Sequence, residues 1–403
     1  MFSVFYFAIT PYFIIFAKHK NTNNMAKHLT IGYDAKRAVR NGTGLGNYCR
    51  TLLNDIGNID KEDTFRLYVP DLGRDDLRSQ LVMPENMEFA LPSPHMPKLL
   101  RPLWRIKGIV SDLRRDGVDL YHGLTGELPL GLKKAGVKSV VTIHDLIFLR
   151  YPEYYNPIDV AIYKWKFCQT CRQADRIVAI SECTKRDIME FANVEESRID
   201  VVYQSCGTKF RQKASDGQKA ETREKYQLPN RYILFVGTVE ERKNALLAAQ
   251  ALAYLSAGIH LVLVGRRTPY AKDIEKFASQ NHLSDRIHFL SGVPTSDLYA
   301  IYQQAECFVY PSRYEGFGIP IIEAIQSGLP VVACTGSCLE EAGGPDSIYV
   351  DPDEPQEMAM AIKSITDNPD AAAQMAAQSL KYIQKFENGS IANSMLEIYR
   401  KLS

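Results

Sequence analysis

The sequence predicts an α/β protein built from two doubly wound, Rossmann-like lobes that face one another across an interdomain cleft. A chain of 403 residues exceeds the usual size of a single hydrophobic core, so two lobes are expected. Short apolar runs alternate with longer segments of helical period, which is typical of βα units around a parallel sheet. A polar stretch at 207–230 interrupts this alternation, and a second series of the same kind follows it.

The predicted strands form two sets. The first set is His28 to Tyr33, Phe65 to Val69, Val118 to Tyr121, Ser139 to Ile143, Arg176 to Ile180 and Ile199 to Tyr203. The second set is Tyr232 to Val236, Ile259 to Val264, Arg286 to Leu290, Cys307 to Tyr310, Pro330 to Ala333 and Ile348 to Val350. We therefore expect an N-terminal lobe at 25–206, a linker at 207–230, a C-terminal lobe at 231–385, and a final helix at 386–403 that packs back toward the first lobe.

The composition excludes some classes of partner. With 48 Lys and Arg against 47 Asp and Glu, the net charge of +1 gives no general electrostatic reason to expect a nucleic acid. Eight cysteines without the spacing of a disulfide framework favour a reducing compartment and free thiols. Cys168 and Cys171 form a C-x-x-C without a second pair, so we expect two helix thiols rather than a zinc site.

The first 17 residues are strongly apolar, but they include Pro11 and are short for a membrane span. We expect residues 1–24 to be an extension outside the fold, with the functional protein beginning at Met25. As an alternative, the segment is an anchor, and Lys18 and Lys20 would then keep the following chain on the cytoplasmic side. Either way the expected location is cytoplasmic, with possible peripheral contact at the inner face of the cell membrane.

The most informative segment is 315–323, which reads EGFGIPIIE and follows a predicted strand. Its glycines permit close backbone approach to a ligand, and Pro320 suits the first turn of a helix. The carboxylates of Glu315 and Glu323 can accept hydrogen bonds from adjacent sugar hydroxyls. Taken alone, each glutamate is better explained without a ligand, Glu323 as a first-turn charge that favours the helix dipole and Glu315 as a solvated loop residue.

A second segment, 235–244, reads FVGTVEERKN and places Arg242 and Lys243 between a strand and a helix. Two cations there can bind a diphosphate and stabilise the negative charge that develops on a departing phosphate. The alternative is a solvated cluster of charges.

The first lobe contains two weaker signals. A glycine-rich turn at 40–48, RNGTGLGNY, precedes a helix and can offer amides to phosphate. Its spacing differs from G-x-G-x-x-G, which disfavours hydride transfer. His144 and Asp145 end one strand and Ser181 follows the next; a structural hydrogen bond and a helix N-cap are the alternatives to a functional role.

Segment 315–323, with SGLPVVA at 327–333, resembles the E-x7-E region of retaining family 4 glycosyltransferases with the GT-B fold. The resemblance extends from about Thr30 to the C-terminus. It implies an enzyme that transfers a sugar from a nucleotide-sugar donor to another carbohydrate. It also implies that Glu323 holds the donor ribose, that Glu315 contacts the transferred sugar, and that the cationic pair binds the diphosphate.

The same resemblance implies the remaining site residues. His144 would lie near the reacting centre, Asp145 would orient either His144 or the loop, and Gly44 would lie against the donor phosphates. The predicted catalytic residues are His144, Arg242, Lys243 and Glu315. The predicted donor-binding residues are Gly44, Gly237, Gly316, Phe317, Gly318, Ile319 and Glu323. No metal or other cofactor is expected, because the cationic pair supplies leaving-group stabilisation and Asp351-Pro352-Asp353 is better explained as a turn.

The motifs look most like those of bacterial mannosyltransferases that use GDP-mannose. The resemblance therefore implies mannosyl transfer to a glycan or a lipid-linked saccharide in surface polysaccharide biosynthesis. The basic and apolar run 98–107, KLLRPLWRIK, can contact a membrane surface, or it can be a surface helix that packs its apolar side inward. Two other functions stay open: a nucleotide-sugar epimerase of similar architecture, and a non-catalytic nucleotide-sugar-binding protein.

Overall fold

The computed structural model describes residues 28–403, so the apolar extension predicted at 1–24 lies outside the described residues. Thirteen parallel strands form two sheets in this part of the chain. The first sheet contains β1 (Thr30–Asp34), β2 (Thr64–Tyr68), β3 (Met87–Ala90), β4 (Leu120–Gly123), β5 (Lys138–Ile143), β6 (Arg176–Ala179) and β7 (Ile199–Val201). The second contains β8 (Tyr232–Val236), β9 (His260–Val264), β10 (Ile287–Leu290), β11 (Cys307–Tyr310), β12 (Val331–Cys334) and β13 (Ile348–Val350). We call these sheets, with their helices, the first and second lobes.

Both sheets are doubly wound, as the sequence predicts. The first has the order β3-β2-β1-β4-β5-β6-β7 and the second the order β10-β9-β8-β11-β12-β13. Each changes direction beside its first strand, where β1 pairs with both β2 and β4 and β8 pairs with both β9 and β11. The predicted fold class is confirmed. The predicted strand set of the first lobe is incomplete, because the edge strand β3 was not among its members.

Helices cover both faces of each sheet. The first nine are α1 (Lys36–Arg40), α2 (Gly44–Ile59), α3 (Asp75–Arg78), α4 (Arg101–Leu103), α5 (Ile109–Arg115), α6 (Leu132–Ala135), α7 (Ile147–Arg150), α8 (Pro157–Gln173) and α9 (Glu182–Ala192). The others are α10 (Asp216–Tyr226), α11 (Ala245–Leu252), α12 (Ala271–Gln280), α13 (Thr295–Tyr302), α14 (Ile319–Gln326), α15 (Leu339–Gly343), α16 (Pro355–Thr366), α17 (Pro369–Tyr382) and α18 (Asn388–Leu402).

Shorter helical turns connect several of these elements. Residues Trp104–Gly108 form a π-helical turn. Single 3₁₀ turns lie at Lys98–Leu100, Pro152–Tyr154, Glu196–Arg198, Thr208–Arg211, Glu241–Lys243, Ser284–Arg286 and Ile383–Phe386.

The central strands are apolar because helices cover both of their faces. Every residue of β11 and β12 is buried, as are all four residues of β4. With the central residues buried on both faces, the functional side chains stand at the carboxyl ends of the strands, where the chain leaves the sheet.

The last helix belongs to the core of the first lobe, although the second lobe precedes it in the chain. Met395 and Tyr399 are completely buried in the apolar cluster that α2 and β1 also form. Arg400 pairs with the buried carboxylate of Asp60 at 3.1 Å. The chain therefore crosses between the lobes a second time before it ends.

Within residues 28–403, no helix combines the length and the apolar composition that crossing a bilayer requires. The eight cysteines, including Cys168 and Cys171, are all free thiols.

Candidate active site

The strongest charge cluster lies beside the EGFG segment of the second lobe. Glu315 Oε1 accepts a hydrogen bond from Lys243 Nζ at 2.9 Å, and Glu315 Oε2 pairs with Arg242 Nη1 at 3.0 Å. Tyr310 and Ser312 also donate to Glu315 Oε1, at 3.0 and 2.8 Å. Because β11 ends at Tyr310 and the 3₁₀ turn Glu241–Lys243 follows β8, two neighbouring strands bring these groups together.

Burial and the neighbouring charges have opposite effects on the pKa values of Glu315 and Lys243, and the effect of the charges is the larger. Burial alone would favour the neutral acid, but the charges of Lys243 and Arg242 lower the pKa of Glu315 to about 2. Burial likewise disfavours the ammonium form of Lys243, and the Glu315 carboxylate raises its pKa nonetheless. All three side chains are therefore charged at neutral pH.

Lys243 keeps a donor for a ligand. Its ammonium group has three N–H bonds. Among the described residues, Tyr310 and Glu315 accept two of them. Gly237, with φ of +153°, makes room for this side chain, since a Cβ at that position would lie 3.2 Å from Lys243 Cδ. The predicted donor-binding residue Gly237 therefore lies beside the predicted catalytic residue Lys243.

Glu323 lies in the second turn of α14 and has a different environment. Its Oε2 accepts a hydrogen bond of 3.0 Å from the buried hydroxyl of Tyr302. Burial raises the pKa of Glu323 to about 7, although the bond from Tyr302 acts in the opposite direction. No cation among the described residues pairs with this carboxylate, so its charge depends on pH in the neutral range.

The backbone of the glycine turn before α14 packs closely against neighbouring side chains of the second lobe. Gly318 has φ of +123°, and a Cβ there would lie 3.2 Å from side-chain atoms of both Ala342 and Leu339. Ile319 begins the helix, and the first N–H groups of a helix have no partner within it. The side chain of Phe317 is buried and stacks on Tyr203, with centroids 5.5 Å apart. Phe317 can therefore offer a ligand only its backbone.

His144 lies at the end of β5 in the first lobe, and the protein occupies both of its ring nitrogens. Nε2 lies 2.9 Å from the carbonyl oxygen of Leu124, so this nitrogen carries the proton and donates. Nδ1 then accepts from the side-chain amide of Gln204 at 2.8 Å. Burial lowers the pKa of His144 to about 4, which makes the ring neutral at pH 7. A sugar that bonds to this ring must replace one of these two partners.

Gly44 begins α2, and its neighbour Gly46 has a different role. A Cβ at Gly44 would meet no atom within 4 Å, so packing does not require glycine there. A Cβ at Gly46 would lie 1.7 Å from the carbonyl oxygen of Asn41, so packing does require glycine at that position. The contact of Gly44 with donor phosphates stays a prediction.

The two lobes touch directly at the predicted site. A Cβ on Gly316 would lie 2.0 Å from the carbonyl oxygen of His144, so any side chain at 316 would push the lobes apart. Ser181 caps α9 by accepting from Thr184 N–H at 3.0 Å and donates to the carbonyl oxygen of Gly316 at 2.7 Å. The helix N-cap expected for Ser181 is therefore present, and a functional role for this residue stays a prediction.

A second interlobe contact uses a carboxylate. The two oxygens of Glu341 accept from the N–H groups of Glu182 and Cys183, at 2.7 and 2.8 Å, at the N-terminus of α9. Tyr314 donates to Asp187 Oδ2 at 2.6 Å beside them. The EGFG segment is thus held between the two sheets.

The structure brings five predicted residues into two adjoining contacts. Arg242, Lys243 and Glu315 form one cluster, and His144 touches Gly316 across the lobes. Sequence reasoning did not identify the side chains that hold these groups and Glu323. They are Tyr310, Ser312, Gln204, Tyr302 and Glu341. Tyr310 and Ser312 had a usable signal, since both stand at the carboxyl end of a central strand.

Two family models match this chain. Residues 60–206 match the model described as Glycosyltransferase Family 4, and residues 218–382 match the model described as Glycosyl transferases group 1. Together the two matches cover well over half of the chain and run through both lobes. The chain belongs to the family 4 glycosyltransferases. All predicted site residues of this glycosyltransferase except Gly44 lie inside the matched ranges.

The glycosyltransferase is similar to two bacterial enzymes. It is 29% identical over 290 residues to the O-antigen chain mannosyltransferase B of Escherichia coli, and the aligned region covers 70% of this chain and 74% of that enzyme. It is 28% identical over 244 residues to the O-antigen chain mannosyltransferase RfbU of Salmonella typhimurium, and the aligned region covers 60% of this chain and 65% of that enzyme.

A solved structure shares the fold. The Anabaena protein HepE in complex with UDP superimposes with a TM-score of 0.72 at 17% identity, over 93% of this chain and all of that one. The predicted GT-B fold is therefore confirmed.

Proposed function

We propose that this glycosyltransferase moves mannose from GDP-mannose to a saccharide hydroxyl, with retention of configuration, in the assembly of a surface polysaccharide. The cluster of Arg242, Lys243 and Glu315, which faces the His144 loop across the lobe contact, is the observation that carries the proposal. In this cluster the positive charges of Arg242 and Lys243 stand beside the Glu315 carboxylate, which stays ionised at neutral pH.

The proposed reaction needs charge stabilisation rather than an added base. The bond between the anomeric carbon and the phosphate oxygen breaks, and the nucleotide diphosphate leaves with both electrons of that bond. Arg242 and Lys243 stabilise the new negative charge more in the transition state than in the bound donor. The acceptor oxygen attacks the same face of the sugar, and its proton passes to the departing phosphate.

The closed lobes serve the same chemistry. Contacts of Ser181 and Glu341 with the opposite lobe keep the EGFG segment against His144. Water that reached this site would hydrolyse the donor, so closure favours transfer.

The choice of mannose rests on the relatives. Two similar enzymes are named as O-antigen chain mannosyltransferases, and several more named mannosyltransferases match about two thirds of the chain. The choice of GDP rests on the resemblance of the motifs. The neutral ring of His144 can donate to or accept from a sugar hydroxyl, whereas the ionised carboxylate of Glu315 can only accept from one.

The test is release of nucleotide diphosphate by the full chain from a panel of GDP-sugars and UDP-sugars, with and without mixed glycan acceptors. We expect turnover with GDP-mannose that depends on an acceptor, and NMR of the product should show the anomeric configuration of the donor. Release of an altered free nucleotide-sugar without acceptor would instead establish an epimerase. Turnover with UDP-sugars alone would reject the proposed donor.

The proposed ribose contact of Glu323 predicts pH-dependent donor binding. A carboxylate can accept from both ribose hydroxyls, whereas the protonated acid can accept from fewer. Because the pKa of Glu323 is about 7, donor affinity should rise roughly tenfold from pH 6 to pH 8. Glu323→Gln should remove this dependence in a calorimetric titration. The intact nucleotide-sugar is the correct probe, since a terminal phosphate would itself titrate in this range.

A stability measurement gives an independent check on the same group. The folded state binds the proton of Glu323 more tightly than the unfolded chain does, so between about pH 4.5 and 7 this residue lowers stability as the pH rises. Glu323→Gln should flatten that part of the stability profile. If donor affinity is the same at both pH values in the wild type, Glu323 does not hold the ribose.

The acceptor is proposed to reach the first lobe from a membrane surface. Leu99 and Leu103 expose 88% and 61% of their surface, and Trp165, which is 62% exposed, lines a cavity of about 760 Å³ in the same lobe. Lys98 and Lys166 also line this cavity. The segment 98–107 fits both explanations that the sequence left open. Trp104 is buried and donates to Asp112 at 2.6 Å, whereas Leu99 and Leu103 are exposed to solvent. Exposed apolar side chains beside cations suit an anionic bilayer.

Membrane contact predicts binding to vesicles of anionic phospholipid. The double variant Leu99→Glu, Leu103→Glu should reduce co-sedimentation at least about tenfold, because it removes two apolar anchors and adds two negative charges. Met360→Glu, Leu380→Glu is the matched control, since both residues are exposed on the second lobe. Equal binding by the two double variants would reject this surface as the contact.

A further inference from the structure

A series of buried hydrogen bonds connects the last helix to Tyr48, and the ring of Tyr48 contacts the ring of His144. The hydroxyl of Tyr399, on α18, lies 2.6 Å from His122 Nδ1, and His122 Nε2 lies 2.8 Å from Thr142 Oγ1. Thr142 Oγ1 lies 3.1 Å from the hydroxyl of Tyr48. The ring of Tyr48 then meets the His144 ring edge-on, with centroids 4.6 Å apart. We call Tyr399, His122, Thr142 and Tyr48 the polar relay.

The relay is closed to solvent and is directional. His122, Thr142 and Tyr399 have no exposed surface. Burial lowers the pKa of His122 to about 3, so its ring is neutral at pH 7. A neutral imidazole donates from one nitrogen and accepts at the other, so the hydrogen bonds on either side of His122 must run in the same direction. Each member thereby fixes the orientation of the next.

The relay ends at two parts of the candidate site. Thr142 stands two residues before His144 on β5, so its position sets the end of that strand. Tyr48 lies one turn into α2, which begins at the predicted phosphate-binding residue Gly44. The relay therefore joins α18, β4, β5 and α2 at the point where the first lobe faces the EGFG segment.

Packing alone does not account for this arrangement. The surrounding cluster of the first lobe is apolar, and buried polar groups cost free energy unless every one of them is paired. Valine has nearly the shape of threonine and would fill the site of Thr142 without a hydroxyl. The four polar side chains of the relay therefore contribute a fixed orientation rather than additional apolar burial, and the ring of Tyr48 passes that orientation to His144 by direct contact.

We propose that the polar relay consists of positioning residues that hold the His144 ring and the glycine turn in the geometry of sugar transfer. The proposal rests on the proposed function of His144. It assigns to the C-terminal helix, the last part of the chain, a role in aligning the site of the first lobe.

Two substitutions at Thr142 separate positioning from packing. Thr142→Val keeps the shape and removes the hydroxyl, and it should lower kcat about tenfold or more with little change in the KM for donor. Thr142→Ser keeps the hydroxyl and leaves a small cavity, and its kcat should stay within about twofold of the wild type. A role in packing alone predicts the opposite order.

Tyr399→Phe should reproduce the effect of Thr142→Val, because it removes the first hydroxyl of the relay. Tyr232→Phe is the matched control. Tyr232 is equally buried, and its hydroxyl donates to the carbonyl oxygen of Ile301 at 2.6 Å, away from the relay. A similar loss of kcat in both tyrosine variants would overturn the proposal.

A spectroscopic measurement keeps this test separate from the test of the proposed function. In protein labelled with ¹⁵N-histidine, the ring signals of His144 should shift in Thr142→Val and stay unchanged in Thr142→Ser. Unchanged His144 signals in Thr142→Val overturn the positioning proposal, whatever the activity. If His144→Ala transfers sugar at the wild-type rate, the proposed role of His144 fails, even where the shifts show that the relay orients the ring.

Discussion

Lys243→Ala should lower turnover about 100- to 1,000-fold, while the KM for donor changes only a few-fold. The Lys243 side chain is 14% exposed and its ammonium group is hydrogen-bonded to Glu315, which holds it in place before the reaction begins. A group fixed in this way pays no reorganisation cost when negative charge develops on the departing diphosphate. The measurement is steady-state release of nucleotide diphosphate at saturating donor and acceptor.

Lys225→Ala is the matched control for this substitution. Lys225 belongs to the same lobe and pairs with Asp297 at 2.7 Å, but its side chain is 54% exposed. We expect wild-type turnover, since an exposed ion pair contributes little. Thermal unfolding of both variants shows whether each is folded. If folded Lys243→Ala turns over at the rate of the control, the assignment of leaving-group stabilisation to Lys243 is wrong.

The sheets were predictable because their central strands are covered on both faces. Such strands appear in the sequence as apolar runs, and Tyr232 to Val236 and Cys307 to Tyr310 were predicted with the observed ends. The edge strand Ile348 to Val350 was also predicted with its observed ends, because all three of its residues are hydrophobic. The edge strand Met87–Ala90 pairs with only one neighbour and has just one buried residue, Met87. Its apolar signal is therefore too weak to separate it from a loop.

The polar segment 207–230 was predicted as a linker, but it contains the helix α10. Its charged run gives little apolar periodicity, yet α10 forms there behind a capping box between Ser215 and Gln218. The S-x-x-Q spacing was present in the sequence and predicts a helix start. Ala214 and Leu228, which flank α10, pack into the core of the second lobe.

The charged residues of the candidate site were predictable, whereas their partners depended on tertiary structure. Arg242 and Glu315 are far apart in the chain, and a motif resemblance was needed to assign them to one site. Gln204 and Leu124 hold the His144 ring through the pairing of distant segments, which leaves no local pattern. The relay depends on the return of α18 to the first lobe, and neither composition nor spacing predicts a hydrogen bond between Tyr399 and His122.

Met395→Ala should destabilise the first lobe by about 3 kcal/mol and lower its unfolding midpoint by roughly 10 °C. Met395 lies on α18, has no exposed surface and packs into the core of the first lobe, so its truncation leaves a cavity there. The two tryptophans, Trp104 and Trp165, both belong to the first lobe, and Trp104 is buried. Tryptophan fluorescence during heating therefore reports on the lobe that α18 completes.

Met360→Ala is the control for the same change of side chain on the surface of the second lobe, where Met360 is 63% exposed. It should shift stability by no more than about 0.5 kcal/mol. The comparison tests whether α18 is structural for the first lobe. Because α18 follows the whole second lobe in the chain, the core of the first lobe cannot be complete until α18 has been synthesised. If the two variants have equal unfolding midpoints by tryptophan fluorescence, the first lobe is stable without the contacts of α18.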